Sequence, residues 1–322
     1  MNNSIATPQD GALRGPTSVL SVSPVVLPAP GRGDDLQVRV SAPATGTGPL
    51  GVIVFAHGFG SSLDGYAPLV NFWASHGFVV IQPTFLDSRT LGLGPDDPRT
   101  GSIWRIRVED MKRALDQLDF IEGCVPGLKG RLDRSRIAAV GHSYGAQTTG
   151  MLLGARVIGP DGSLGDDLSD PRIKAGVLLC ATGRGGPDLG PFATEHFPFM
   201  NPSFAEMKTS TLVVAGDKDD SPLSPRGPDW FTDAYTLSPG SDSLVVLFGA
   251  EHMLGGISGS LVTETTDESL DRVAAVQRLT WAYLRSALYR GDPAWHAACA
   301  ELTATALTQG RVESKAALRG AR

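Results

Sequence analysis

Short apolar runs at residues 52–55, 78–81, 137–140, 176–180, 212–215 and 244–248 constrain this chain more than any other feature. Each is too short for a helix, rich in β-branched residues and almost unbroken in hydrophobicity, which is the pattern of strands covered on both faces. The stretches between them are long enough for helices. The clearest is 102–122, where Trp104, Val108, Met111, Leu115 and Leu118 form one apolar stripe. Strands alternating with helices predict an α/β fold: a mostly parallel central sheet with helices on both faces. Residues 36–40 read as an edge strand, and residues 1–35, punctuated by Pro24, Pro28 and Pro30, as an extended N-terminal segment. One domain is expected over 36–290, followed within 291–322 by a C-terminal helix and basic tail packed on or frayed from the same domain. Loop insertions at 84–101, 156–170 and 183–201 leave the carboxyl ends of strands, where open α/β sheets build their sites.

Composition excludes several classes. With 41% hydrophobic residues the chain has enough apolar surface for a sizeable core, so it is not disordered. Lys and Arg number 28 against 34 Asp and Glu, a net charge of -6 without a basic cluster. That balance argues against nucleic-acid or anionic-membrane partners and leaves a small molecule as the expected one. Three scattered cysteines do not make a disulfide framework. No H-x-x-x-H, C-x-x-C or Gly-rich phosphate loop is present, so neither a metal nor a cofactor is expected. No run approaches a membrane span, and residues 1–14 lack the basic and apolar regions of a signal peptide; a cytoplasmic location is the expectation.

The chemistry concentrates at Gly141-His142-Ser143-Tyr144-Gly145, a G-x-S-x-G pentapeptide between the strand at 137–140 and a helix-compatible run at 146–155. A sharp strand-to-helix turn needs small residues at both ends, and it presents the Ser143 hydroxyl at the sheet edge with a helix N-terminus behind it. A serine needs a base, and the base an orienting acid. Of the six histidines, His252 lies just beyond the last strand, in a loop placed to return over the same edge. His142 is adjacent to Ser143 and points away from it, His57 belongs to another motif, and His76 and His296 fall in helix-like stretches. His196 stands in an insertion. Asp217, Asp219 and Asp220 follow the strand at 212–215 and offer three choices of acid.

These segments, together with His57-Gly58-Phe59-Gly60-Ser61-Ser62 after the strand at 52–55, resemble the serine esterases of the α/β-hydrolase superfamily across residues 36–290. Within it the chain is most similar to bacterial chlorophyllase-like and dienelactone-hydrolase-like proteins, with cutinase-like polyester hydrolases as more distant relatives. The resemblance implies the α/β-hydrolase fold, and an acid three residues beyond the strand-ending Gly216, which selects Asp219. It also implies an oxyanion hole made by the backbone N–H groups of Phe59 and Tyr144. Dienelactone hydrolases carry cysteine where this chain has Ser143, so lactone chemistry is not carried over. The activity implied is hydrolysis of a small-to-medium neutral or aromatic carboxylic ester through an acyl-enzyme on Ser143. The alternatives are a perhydrolase or acyltransferase with the same nucleophile, and a catalytically silent binding module. Phe59, Tyr144, Met253, Leu254, Ile257 and Trp230 are expected around the substrate, and Trp104 in the core.

Overall fold

The computed structural model describes residues 15–304 and 309–315, apart from positions 95, 261 and 264. In chain order its strands are β1 (Val19–Leu27), β2 (Leu36–Pro43), β3 (Leu50–Ala56), β4 (Phe78–Pro83) and β5 (Leu132–His142). There follow β6 (Arg156–Val157), β7 (Ile173–Leu179), β8 (Pro202–Ser203), β9 (Ser210–Gly216), β10 (Ser241–Leu247) and β11 (Gly310–Ser314). Nine of them form one sheet in the order β1-β2-β4-β3-β5-β7-β9-β10-β11, while β6 and β8 pair as a separate ribbon. The six strands from β4 to β10 are parallel; at one margin β2 pairs antiparallel with both β4 and β1, and at the other β11 pairs antiparallel with β10.

The unbroken apolar runs follow from burial on both faces. All seven residues of β3 are buried, with Ile53 and Phe55 facing one core and Val52, Val54 and Ala56 the other. The first core packs against α1 (Ala67–Ser75), α7 (Leu270–Leu288) and α8 (Ala294–Ala304). The second packs against α2 (Ile103–Asp116), α3 (Leu118–Cys124), α4 (Tyr144–Leu152) and α6 (Asp233–Leu237). A short α5 (Pro191–His196) lies in the 183–201 insertion. No helix among the described residues is long and apolar enough to cross a membrane.

The margins depart from the sequence expectation. The N-terminal segment is more than extended: β1 pairs with β2, so β2 is not the edge strand. Prolines hid it, yet an edge strand tolerates them, and Pro24 sits in the register shift between Val22 and Val25. Behind β1, Arg32 is anchored by a buried ion pair, its Nε 3.0 and 2.9 Å from the two Asp110 oxygens. The tail also contributes structure, since β11 closes the far edge against β10. Residues 1–14, 305–308 and 316–322, included in the expected terminal segments, lie outside the described residues. The helix expected at 102–122 divides at Gln117 into α2 and α3.

One topological detail places the site. The strand β3 pairs with β4 on one side and β5 on the other, so the chain order reverses between β3 and β5, and Ala56 lies opposite Gly141 in that pairing. The carboxyl ends of β3 and β5 therefore open into one crevice, the usual ligand position in open α/β sheets.

Candidate active site

Ser143 occupies the turn from β5 into α4 with φ 55° and ψ −121°, a left-handed backbone that serine rarely adopts. The turn is possible only because its neighbours lack side chains. A Cβ on Gly141 would stand 2.1 Å from the Gly145 carbonyl oxygen, and one on Gly145 2.0 Å from that of Ala56. The second contact also sets how closely α4 approaches the end of β3.

Ser143, His252 and Asp219 are brought together although 109 and 33 residues separate the successive partners. Ser143 Oγ lies 2.8 Å from His252 Nε2, and His252 Nδ1 lies 3.1 and 3.0 Å from the two Asp219 oxygens. Asp219 is fully buried, so its acceptors are committed to few partners. Facing a carboxylate, Nδ1 carries the ring proton and donates; Nε2 is left to accept from the serine hydroxyl. The neighbouring aspartates do other things. Asp217 Oδ1 accepts the Gly249 N–H at 2.7 Å and so ties down the start of the histidine loop. Asp220 lines the cavity described below.

The histidine loop is held from several sides. Asp267 Oδ2 accepts the N–H groups of Glu251 and Gly255, both at 2.9 Å. His142 Nε2 lies 2.8 Å from the His252 carbonyl oxygen, and Tyr66 Oη 2.8 Å from His142 Nδ1. Since a carbonyl only accepts, His142 carries its proton on Nε2 and receives the tyrosine O–H at Nδ1. Burial, with His252 beside it, lowers His142 to about 3, so it is a neutral and fixed tautomer. Burial likewise raises the Tyr66 phenol and the Cys180 thiol, the latter helped by the nearby Asp219 charge, so both keep their protons. Cys180 is hydrogen-bonded to Asp219. The donor atoms of His142, Cys180 and His252 lie within 4.8 Å of one another, a spacing that a metal ion could use. Every one of those atoms is already engaged within the protein.

The 57–60 loop leaves β3 beside the serine. The Gly58 carbonyl accepts from His57 Nδ1 at 2.7 Å and from the Ser61 N–H at 3.2 Å. In a trans peptide the N–H opposes the C=O, so this turns the Phe59 N–H the other way; among the described residues it meets no protein acceptor. The Tyr144 N–H, first in α4, is one of the unsatisfied donors that every helix N-terminus leaves.

Beside these groups lies a cavity of about 880 Å³ lined by Ser143, His252, Phe59, Tyr144, Phe199 and Met253, among others. A continuous series of ring contacts leads from the surface into it: Phe192, outside the lining, to Phe197 at 5.9 Å, Phe197 to Phe199 at 6.1 Å, Phe199 to Tyr144 at 5.8 Å and Tyr144 to Phe59 at 6.3 Å. Both ends of that series are solvent-exposed, Phe59 by 64% and Phe192 by 60%.

Three expected pocket residues are elsewhere. Trp230 is fully buried, with its indole N–H donated to the Arg184 carbonyl at 2.8 Å. Leu254 and Ile257 are fully buried in the core, because the loop turns inward directly after Met253. Trp104, expected in the core, is half-buried and packs against it, and it also stacks on Phe199 at 6.0 Å behind the cavity wall. The sequence reading also missed Tyr66, Asp87, Arg107, Phe197 and Phe199. For Arg107 a signal existed: it stands on the α2 stripe, three residues after Trp104 and four before Met111, where a cation needs an explanation.

Two comparisons bear on this arrangement. Over 208 residues, 65% of this chain and 52% of the relative, the chain is 27% identical to a bis(hydroxyethyl) terephthalate hydrolase of Streptomyces coelicolor; it thus spans about half that relative's length. The family model described as "Alpha/beta hydrolase family" matches residues 53–314, from β3 through β11 and including every residue of the hydrogen-bonded relay. With that coverage and this sheet, the chain belongs to the alpha/beta hydrolase family.

Proposed function

We propose that the protein is a serine carboxylesterase acting on small-to-medium neutral, preferentially aromatic, esters through an acyl-enzyme. The observation that carries this reading is the unbroken relay from Asp219 through His252 to Ser143, the last two lining an aromatic-walled cavity.

Ser143 Oγ attacks the ester carbonyl while His252 Nε2 takes its proton. Asp219 stabilises the imidazolium and holds the tautomer without itself being protonated. The tetrahedral oxyanion lies against the N–H groups of Phe59 and Tyr144, which are oriented before the charge develops. Collapse expels the alcohol, protonated by His252. Water, deprotonated by the same imidazole, then attacks the acyl-enzyme, releasing the acid and restoring the serine.

Two features support the substrate class. The ring series offers stacking and edge contacts to an aryl group along its length, worth roughly 0.5–1.5 kcal/mol per pair. The described lining residues include carboxylates, among them Glu195, Asp220 and Glu251, and no lysine or arginine, which disfavours an anionic ester. The relative's named substrate, bis(hydroxyethyl) terephthalate, is a neutral aryl diester of suitable size for the cavity.

The test is hydrolysis of p-nitrophenyl esters from acetate to palmitate, and of bis(hydroxyethyl) terephthalate, by the wild type and by Ser143→Ala. Turnover that vanishes in the folded mutant, with an acyl adduct on Ser143 seen by mass spectrometry, is the expected result. A wild type inert to the whole set, or a mutant that retains turnover, rejects the reading.

A further inference from the structure

We propose that Arg107, together with Asp87, is a positioning pair that presets the two backbone donors of the oxyanion hole by bonding at once to both segments that carry them. This rests on the esterase reading above. The guanidinium sits beneath the site, fully buried, on the one α2 position where the apolar stripe is broken by a cation. It is clamped between two rings, with Cζ 4.0 Å from the Phe85 centroid and 4.4 Å from that of Tyr144.

Its donors go in three directions. One Nη donates to the His57 carbonyl, at the entrance of the loop that carries the Phe59 N–H. The other Nη donates to Asp87 Oδ1 at 2.6 Å, and Asp87 Oδ2 accepts the Gly60 N–H at 3.1 Å, at the exit of the same loop. Nε donates to Thr148 Oγ1 at 3.0 Å, whose hydroxyl reaches the Tyr144 carbonyl at 3.1 Å, in the first turn of α4. Phe59 is thus bracketed on both sides, and the second donor residue is tied to the same planar group. The His57–Gly58 peptide is held at both ends, since its N–H donates to Tyr66 Oη at 3.0 Å.

Asp87 is 2% exposed in its side chain. Burial alone would raise its carboxyl, but Arg107 and the Gly60 N–H hold it below the usual range, so it stays ionised. The pair is therefore neutral as a unit. Its effect is on geometry: a planar fork with fixed donor directions sets the separation of two loops, which a lysine cannot do. A general stabilising role would leave the transition state no more affected than the ground state, and this is where the two accounts part.

The experiment compares the wild type with Arg107→Lys, Asp87→Asn and the milder Thr148→Val, using an aryl ester and phenylboronic acid. The boronic acid forms a tetrahedral adduct on the serine with one oxygen in the oxyanion hole. Folding of each variant is checked by circular dichroism. For Arg107→Lys the expected result is a kcat/KM about a hundredfold lower with KM changed little, since small misplacements of donors act on that scale. Thr148→Val, which cuts a single arm, loses about tenfold, as for a group that acts through another. Across all folded variants the inhibition constant for phenylboronic acid rises by the same factor as kcat/KM falls. If Arg107→Lys does not fold, the two milder variants decide. Folded variants with kcat/KM within about twofold of wild type, or with reduced kcat/KM and unchanged boronate affinity, overturn the proposal. An inert wild type that phenylboronic acid does not bind overturns the esterase reading instead, and the positioning role with it.

Discussion

His142 and His252 are joined by a hydrogen bond of 2.8 Å from an imidazole Nε2 to a backbone carbonyl, so the residue beside Ser143 holds the main chain of the residue whose ring faces Ser143. His142 is therefore structural. Its other nitrogen receives Tyr66 Oη, which in turn receives the Gly58 N–H at 3.0 Å, and the chain of bonds links the 57–60 loop to the histidine loop.

That arrangement makes stability depend on pH. His57 and His142 are lowered by burial to about 4 and about 3, so both stay neutral in the native state well below their ordinary range. In the unfolded chain each takes up a proton near pH 6.5. Between about pH 6.5 and 4 the unfolded state binds more protons, so stability falls as the pH is lowered, by roughly 1.4 kcal/mol per pH unit for each histidine. Urea unfolding at a series of pH values should show that slope, and His142→Asn should make it shallower by one such share. An unaltered slope would count against a neutral buried His142.

The role proposed for Asp219 as the orienting acid is separable by mutation from what its neighbours do. Asp219→Asn keeps the shape but presents the wrong hydrogen-bonding partner to His252 Nδ1, and kcat should fall by roughly 10⁴. Asp217→Asn removes only a charge from a loop tie, at a cost of about 1 kcal/mol of stability and little activity. Steady-state kinetics with thermal melts distinguishes them; equal losses of kcat in the two would refute the assignment.

Core and wall aromatics should respond in opposite ways. Phe199→Ala opens the ring series beside Trp104 and Tyr144, and should raise KM for an aryl ester by about tenfold with a small change for a simple alkyl acetate such as ethyl acetate. Trp230→Ala leaves a cavity in the core and should lower the unfolding free energy by about 3–5 kcal/mol while KM of the folded enzyme holds. Chemical denaturation and ester kinetics on both variants provide the check, which fails if Trp230→Ala raises KM selectively for aryl substrates.

Gly145 sets the approach of α4 to β3. With a Cβ only 2.0 Å from the Ala56 carbonyl oxygen, Gly145→Ala must push two backbones apart, which should lower stability by about 1–3 kcal/mol and depress kcat with it. Gly227→Ala, where a Cβ meets nothing within 4 Å, is the matched control and should be silent. Comparable effects in the two proteins would show that close backbone approach is not what Gly145 provides.

Much of this molecule is legible from local pattern. A parallel strand buried on both faces must be apolar throughout, so β3, β4, β5, β7, β9 and β10 announce themselves, and the G-x-S-x-G turn announces Ser143 because only small flanking residues permit it. The margins are less legible. Edge strands such as β1 and β11 are half-exposed, and their sequences carry the prolines and charges that a buried strand excludes.

The sequence by itself determined the α/β class, the parallel core of the sheet and the position of the serine turn, because burial period and backbone sterics act over a few residues. Only the tertiary structure decided which groups meet. The register that sets Ala56 opposite Gly141, the contact of Asp219 with His252, the burial of Trp230 and Leu254, and the bridging of two loops by Arg107 all depend on pairings between distant segments. Such contacts are fixed by strand order and packing in three dimensions, and no local periodicity encodes them.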